Sequence, residues 1–147
     1  MDTLIRCYRD ADAGRVVALW AEVLPDSAPH NEPAIALRKK LEADRKLLFV
    51  AEAEGSIVGA VMGGYDGHRG WIYSLAVAPA CRSQGIGSAL VRRLEAELAD
   101  LGCLKVNLQV RTSNAIVIRF YQRLGYQVEE RVSMGKRLYG TDSERGP

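Results

Sequence analysis

The sequence predicts an α/β (or α+β) fold in which helices cover both faces of a mixed β-sheet. Three observations lead to this fold class. Short apolar runs that fit strands alternate with longer amphipathic stretches that fit helices. The order is strand, two helices, three strands, helix, strand, helix and two paired strands, which is typical of mixed layers. A chain of 147 residues has the length of one ordinary domain, so we expect a single domain over residues 1–147.

The first half of the chain predicts four strands and two helices. The strands are apolar runs between turn residues and cover residues 4–8, 47–53, 57–63 and 71–77. Asp10 or Asp12 can cap the first helix, whose apolar side chains share one face: Val16, Val17, Leu19, Trp20 and Val23. A second helix over residues 34–44 follows the proline-containing loop 24–33. The turn Glu54-Gly55-Ser56 predicts a hairpin between the second and third strands.

The second half predicts two more helices and three more strands. Apolar residues repeat every three or four positions along the third helix: Ile86, Leu90, Leu94, Leu98 and Leu101. Gly102 is placed to end this helix. Ser113 or Asn114 can cap a last helix that ends near Leu124. The remaining strands cover residues 104–111, 126–130 and 132–138.

Composition and charge point to a soluble globular protein with neither nucleic acid nor membrane among its partners. Hydrophobic residues make up 48% and charged residues 26% of the chain, and the net charge is only +2. No dense basic stripe interleaves with aromatic residues, and no run approaches the ~20 apolar residues of a membrane span. The three cysteines have no metal-ligand spacing. We therefore expect no metal and a reducing, cytoplasmic location.

A glycine turn lies where the strand 71–77 leads into the third helix. The first amides of a helix have no internal partner, and the helix dipole makes that end partly positive. A dinucleotide fingerprint would need a third glycine where the chain has Leu90, and a Walker loop would need Gly-Lys-Ser or Gly-Lys-Thr. We therefore predict a diphosphate site of a different type, formed by the turn residues Arg82, Ser83, Gln84, Gly85, Ile86, Gly87 and Ser88.

Two motifs resemble those of the GCN5-related N-acetyltransferase (GNAT) family. Leu75-Ala76-Val77-Ala78-Pro79, followed by Arg82-x-x-Gly85-x-Gly87, resembles the acetyl-CoA loop of that family. Asn114, then six residues and the run Tyr121-Gln122-Arg123-Leu124-Gly125-Tyr126, resembles its second signature. Residues 63–70 resemble the small bacterial YpeA-type branch. Both motifs also resemble those of the ribosomal-protein N-terminal acetyltransferases.

The resemblance implies both an architecture and an activity. The architecture is a GNAT-like, mostly antiparallel sheet of about seven strands, in which a bulged central strand splays from its neighbour. The activity is that of an acetyl-CoA-dependent N-acetyltransferase, in which a primary amine of a small molecule or peptide attacks the thioester directly in a ternary complex. A homodimer is compatible with this architecture. The alternative is a non-catalytic acyl-CoA sensor, which would bind acetyl-CoA without amine-dependent turnover.

The same resemblance implies roles for individual residues. Leu75, Ala76 and Val77 would present free backbone groups to the pantetheine arm, and an amide there would polarise the thioester carbonyl. Asn114 would hydrogen-bond pantetheine, and the Tyr121 hydroxyl would protonate the departing CoA thiolate. The alternatives are structural: a buried strand over these three residues, a helix cap at Asn114 and a core tyrosine at Tyr121.

The position of the catalytic base is unusual. The two positions at which relatives keep a glutamate hold Tyr73 and Gln109 here, and neither side chain is a base at neutral pH. We therefore expect the proton of the amine to leave through ordered water or through a carboxylate, with Asp26, Glu52 and Asp66 as candidates. The residues expected to line the acceptor site are Asp26, Asn31, Asp66, His68, Tyr73 and Gln109.

Overall fold

The structure is a computed structural model that describes residues 2–24 and 28–140. It divides into two compact units, Met1–Gln109 and Val110–Pro147. The strands of the first unit are β1 (Thr3–Cys7), β2 (Leu48–Ala53), β3 (Ser56–Tyr65), β4 (Gly70–Val77) and β5 (Val106–Asn107). The α-helices of the first unit are α1 (Ala13–Val23), α2 (Pro33–Ala43) and α3 (Ile86–Asp100). The second unit contains α4 (Ala115–Arg123), and a single domain over residues 1–147 stays a prediction.

The five strands form one sheet in the order β1-β2-β3-β4-β5, in which only β4 and β5 run parallel. The turn between β2 and β3 consists of Glu54 and Gly55, with φ angles of 51° and 77°. Left-handed conformations at both turn residues match the twist of a two-residue hairpin, which accounts for the hairpin signal in the sequence. The mixed, mostly antiparallel fold class is confirmed.

The helices of the first unit cover both faces of this sheet. Ala60 on β3 packs in a buried cluster with Val16 of α1 and Leu37 of α2. The neighbouring Gly59 faces the other way, since a Cβ built on it would lie 2.9 Å from Leu90 Cδ1 of α3. Consecutive strand residues point to opposite faces, so α1 and α2 lie on one face and α3 on the other.

Glycines in the sheet let α3 approach it closely. Three leucines of α3 lie over three glycines of β3 and β4, in the pairs Leu90 with Gly59, Leu94 with Gly63, and Leu98 with Gly70. A Cβ at Gly59 or Gly70 would lie 2.9 Å from a leucine Cδ1, and a Cβ at Gly63 would overlap Leu94. This close fit fixes α3, and with it the glycine turn at its N-terminus, against the sheet.

We expect Gly63→Ala to lower the free energy of unfolding by about 1–3 kcal/mol, because the added methyl group overpacks the contact with Leu94. Gly64→Ala is the matched control. Its Cβ would make an ordinary contact of 3.8 Å with Tyr73 on the opposite face. Urea unfolding of both variants checks this prediction, and equal losses at the two positions would contradict the close fit of α3.

The predicted apolar stripe of α3 is confirmed except at its end. Ile86, Leu90, Leu94 and Leu98 are buried, whereas Leu101 is 47% exposed. Gly102, with a φ of 89°, ends the helix as predicted, and the N–H of Cys103 donates to the carbonyl oxygen of Leu98 at 3.0 Å. None of the helices described, α3 included, has the length and apolar character needed to cross a bilayer.

An ion-pair network ties the start of α1 to the first two strands. Arg6 on β1 donates from Nη1 and Nη2 to the carboxylate of Asp12, at 2.8 and 2.9 Å. Its Nε donates to Glu52 Oε2 on β2 at 2.8 Å. Asp12 also accepts from the backbone N–H of Arg9 at 2.8 Å. The side chain of Asp12 therefore makes no capping bond to α1, and the predicted side-chain cap of this helix is wrong at this residue.

The sheet has five strands rather than about seven. Of the strand predicted over residues 104–111, only the two residues of β5 pair, and residues 126–130 and 132–138 form no strand in the structure. The apolar side chains of these two segments are mostly exposed: Val128 is 75%, Val132 87%, Met134 90% and Leu138 83% exposed. Alternating side chains predict a strand only where a neighbouring strand and a core are present, and a sequence pattern specifies neither.

Candidate functional site

β4 contains one extra residue relative to β3, shortly before the glycine turn. Ala60 on β3 lies opposite Ala76, but Met62 lies opposite Tyr73, so three steps along β4 match two along β3. Ser74 in this bulge has a φ of 53°, a left-handed conformation that residues other than glycine rarely adopt. A bulge bends the strand and redirects its peptide groups, often beside a functional site. The family resemblance implied this bulge, although no glycine marks its position.

The edge of β4 that faces β5 is open along the bulge. The two strands share only two residue pairs, Gly70 with Val106 and Trp71 with Asn107. In the part of the chain that the structure describes, residues 72–77 have no strand neighbour on this side. The strands therefore part after two pairs, as a splayed pair does. The peptide groups on this edge can bind an extended ligand as they would another strand.

The turn after β4 presents a row of unused backbone donors. Ser83 and Gly85 have left-handed φ angles of 65° and 78°, and Gly85 immediately precedes α3. The N–H groups of residues 83–88 donate to no acceptor among the described residues. A Cβ on Gly85 would meet no atom within 4 Å, so the space beside this residue is open. The turn has the geometry of an anion-binding nest at a helix N-terminus.

The open edge and the turn are adjacent in the structure. Arg82 is exposed, and its Nε donates to the carbonyl oxygen of Val77, the last residue of β4, at 3.4 Å. Ala76 is 2% exposed and its side chain belongs to the core, whereas Leu75 and Val77 are only partly buried. The segment Leu75 to Val77 is therefore both a core strand on its side-chain face and an open backbone along its edge. A guanidinium, six free amides and an open strand edge follow each other within one short stretch.

The second unit contains the other two predicted cofactor residues. Asn114 is the N-cap of α4, and its Oδ1 accepts from the N–H of Val117 at 3.3 Å. Tyr121 is buried, with edge-to-face ring contacts to Phe120 and Tyr126 at centroid distances of 5.0 and 5.5 Å. Burial raises the pKa of Tyr121 above its ordinary value, so the hydroxyl keeps its proton at neutral and moderately alkaline pH. The structural roles considered for both residues, helix cap and core tyrosine, are present.

Three of the predicted acceptor residues lie on or beside the hairpin that joins β3 and β4. Asp66 Oδ1 accepts from the backbone N–H groups of Arg69 and His68, at 2.7 and 2.8 Å, and these bonds lower the pKa of Asp66. His68 is exposed. Tyr73 is 46% exposed and stacks on Trp71 at a centroid distance of 6.4 Å. Partial burial, and then the charge of Asp66, raise the pKa of Tyr73, so at neutral pH Tyr73 is a neutral phenol near an anionic carboxylate.

The other predicted acceptor and base residues are more dispersed. Asp26 lies outside the described residues. Asn31 is exposed at the end of a short 3-10 helix before α2, and Gln109 is exposed at the end of the first unit. Glu52 accepts from Arg6 in the network that holds α1. This ion pair keeps Glu52 in a structural role and makes it a poor candidate for a base. Among the residues described, no group of three His, Cys, Asp or Glu side chains could hold a metal ion.

Comparison with known proteins identifies the family. The profile of the Acetyltransferase (GNAT) family matches residues 10–126, which include the bulged strand and the glycine turn. The chain belongs to the acetyltransferase (GNAT) family. An acetyltransferase of Yersinia enterocolitica is 44% identical over 134 residues, covering 91% of this chain and 94% of that protein. The predicted family and the enzyme class, N-acetyltransferase, are confirmed, whereas the YpeA-type branch stays a prediction.

Solved structures of this family share the fold. An aminoglycoside N-acetyltransferase, AAC(6')-Iy, bound to the bisubstrate analogue CoA-S-monomethyl-acetylneamine, has a TM-score of 0.76 at 20% identity, with 93% of this chain and 99% of that chain covered. The PaiA N-acetyltransferase of Thermoplasma acidophilum, in complex with coenzyme A, has a TM-score of 0.77 at 17% identity, with coverages of 90% and 94%. Both likenesses confirm the GNAT fold.

Proposed function

We propose that this GNAT protein transfers the acetyl group of acetyl-CoA to a primary amine of a small molecule or peptide, by direct attack in a ternary complex. The observation that carries this proposal is that the open edge of β4 and the unused amides of residues 83–88 are separated only by one short turn. A phosphorylated, amide-containing thioester has a diphosphate for the free amides and peptide-like groups for the strand edge. The CoA complex of a protein with the same fold supports this choice of ligand.

The residues of the first unit fit the parts of acetyl-CoA in sequence. The amides of residues 83–88 and the guanidinium of Arg82 would hold the diphosphate, since both are donors and the helix end is partly positive. The backbone edge of Leu75 to Val77 would pair with the two amide groups of pantetheine. An amide at the bulge would donate to the thioester carbonyl as negative charge develops there. Removing one such donor typically costs about 3 kcal/mol of barrier.

The roles proposed for the second unit come from the sequence motif. Asn114 would use its amide NH₂ group for pantetheine, because its Oδ1 already accepts from Val117. Tyr121 would donate its proton to the CoA thiolate. An ordinary tyrosine has a pKa near 10 and a thiol a pKa near 8.5, so this proton transfer is unfavourable by roughly 2 kcal/mol. Burial raises the pKa of Tyr121, which makes the transfer more unfavourable still. We therefore propose that Tyr121 stabilises the thiolate mainly as a hydrogen-bond donor.

The hairpin residues suit recognition of a cationic amine. Asp66 stays ionised at neutral pH because its pKa is lowered, so it attracts an ammonium group but is a weak base. Tyr73, which takes the place of a family glutamate, stays neutral and can hold a water molecule. We therefore propose that ordered water removes the proton of the acceptor amine. Because the pKa of such an amine is near 8 to 10, a fraction of it is already neutral at neutral pH. Asn31, His68 and Gln109 remain proposed contacts of the acceptor.

Calorimetry followed by an acceptor screen tests the proposed function. Acetyl-CoA should bind saturably to the purified protein, and release of the CoA thiol should then depend on an amine from a panel of neamine, spermidine, a lysine derivative and short peptides. The alternative of a non-catalytic acyl-CoA sensor does not agree with the enzyme class of the family, although Tyr73 and Gln109 are not bases. Tight binding without thiol release for any amine would contradict the proposed transfer, and absence of binding would contradict acetyl-CoA as the ligand as well. Light scattering on the same sample shows whether the protein is a monomer or the homodimer that the architecture allows.

A further inference from the structure

A side chain of α1 reaches across to the bulge in β4. Trp20 of α1 is 2% exposed, and its indole Nε1 donates to the carbonyl oxygen of Ser74 at 2.7 Å. This hydrogen bond joins residues 54 positions apart in the chain and reaches the residue that carries the left-handed backbone. The indole ring packs in the same core cluster as Val16 and Ala76. The bulge is thus supported by a buried donor whose ring cannot move freely.

Ser74 needs such support because its conformation is unfavourable by itself. A residue with a Cβ is strained in the left-handed region relative to its ordinary conformations. Such strain persists only where the surroundings stabilise it. An indole N–H bonded to the Ser74 carbonyl fixes the orientation of the peptide plane between Ser74 and Leu75. The orientation of that plane decides which way the Leu75 N–H points, because the two groups belong to one rigid unit.

We propose that Trp20 is a positioning residue for acetyl transfer: its indole N–H holds the Ser74 carbonyl so that the bulge presents its backbone amide donors to the thioester carbonyl. The inference rests on the proposed function. It predicts that the indole N–H matters for the reacting end of acetyl-CoA and not for the diphosphate, which binds at residues 83–88. A purely packing role of Trp20 predicts instead that any buried aromatic ring at this position serves equally well.

Trp20→Phe separates these two roles, because it keeps a buried ring and removes the donor. In the free protein, hydrogen exchange of the β4 amides beside the bulge should become about tenfold faster. With acetyl-CoA carrying a ¹³C-labelled carbonyl, the infrared band of the bound thioester should lose about half of the downshift that the native protein produces. The Kd for CoA, which lacks the acetyl group, should stay within about twofold of the native value.

Leu19→Val is the matched control. Leu19 lies beside Trp20 on α1, is buried in the same cluster and makes no hydrogen bond to β4 in the described structure. This variant should lose stability while keeping the native infrared band. Adding Ser74→Gly to Trp20→Phe should restore much of the downshift, since glycine adopts the left-handed conformation without strain. If Trp20→Phe does not fold, 3-benzothienylalanine at position 20, which replaces the N–H by sulfur, provides the same test.

These measurements distinguish a failure of the positioning role of Trp20 from a failure of the proposed function. A full downshift in Trp20→Phe, or an equal loss in Leu19→Val, would overturn the positioning role and leave acetyl-CoA binding intact. Failure of the double variant to regain the downshift would also count against the role, because packing alone is not repaired by a glycine at position 74. Absence of CoA binding to the native protein would contradict the proposed function itself, and the inference with it.

Discussion

Replacing Gly85 with valine is expected to weaken acetyl-CoA binding about 100-fold, which corresponds to about 3 kcal/mol. Gly85 has a φ of 78°, and a Cβ there would project into open space. A branched side chain at this position strains the left-handed backbone and occupies the space from which a diphosphate would approach the amides of residues 83–88. Calorimetric titration of the native protein and of Gly85→Val with acetyl-CoA checks this prediction.

Gly55→Val is the matched control for backbone strain. Gly55 has a φ of 77° and, like Gly85, nothing within 4 Å of its ideal Cβ, but it lies in the turn between β2 and β3. The two variants should lose similar amounts of folding stability, whereas only Gly85→Val should lose affinity. An equal change of affinity in the two, or a native affinity in Gly85→Val, would show that the glycine turn is not the diphosphate site.

Asp12→Ala is expected to lower the free energy of unfolding by about 3 kcal/mol. This value is near the lower end of the destabilisation usually caused by removing one partner of a buried ion pair. The side chains of Arg6 and Asp12 are only 12% and 9% exposed, and Arg6 would be left with Glu52 as its acidic partner. The backbone N–H of Arg9 would also lose its acceptor. Denaturant unfolding at neutral pH measures the effect, and a loss too small to measure would contradict the anchoring role of this network.

This stabilisation should depend on pH in a defined direction. The hydrogen bonds from Arg6 hold the pKa of Asp12 below its ordinary value of 3.8, so folding favours the ionised carboxylate. The stabilisation by the ionised Asp12 is therefore complete above about pH 4 and is lost as the pH falls through the lowered pKa of Asp12. The stability difference between the native protein and Asp12→Ala should narrow in acid. Asp10→Ala, which breaks the exposed pair with Arg45, is the control and should change stability several-fold less.

Several features were predictable because they depend on residues close together in the chain. The apolar period of α3, the Glu54-Gly55 turn and the glycines before α3 each specify a local conformation through sterics and side-chain spacing. Asn114 likewise caps α4 through a bond to Val117, three residues along. Together with the two motifs, these signals were sufficient for the family and for the position of the glycine turn before α3.

Other features depend on contacts between distant segments. No local pattern at Trp20 indicates that its indole donates to Ser74, and no pattern at Arg6 indicates that it pairs with both Asp12 and Glu52. The spacing of Gly59 and Gly63 was a signal, since the two glycines lie on one face of β3. Only the structure shows that α3 packs against this face. The two last predicted strands failed for the same reason: alternation does not supply a pairing partner.

The amino-acid sequence by itself determined the order of the elements up to α4, the glycine turn before α3 and the membership of the GNAT family, because turn sterics and hydrophobic period act within a few residues. Only the tertiary structure decided how β4 bulges at Ser74, which of its edges stays open and which side chain supports it. Those properties follow from which distant groups are buried together, since a strained peptide and a buried donor are stable only when the packed core brings them into contact.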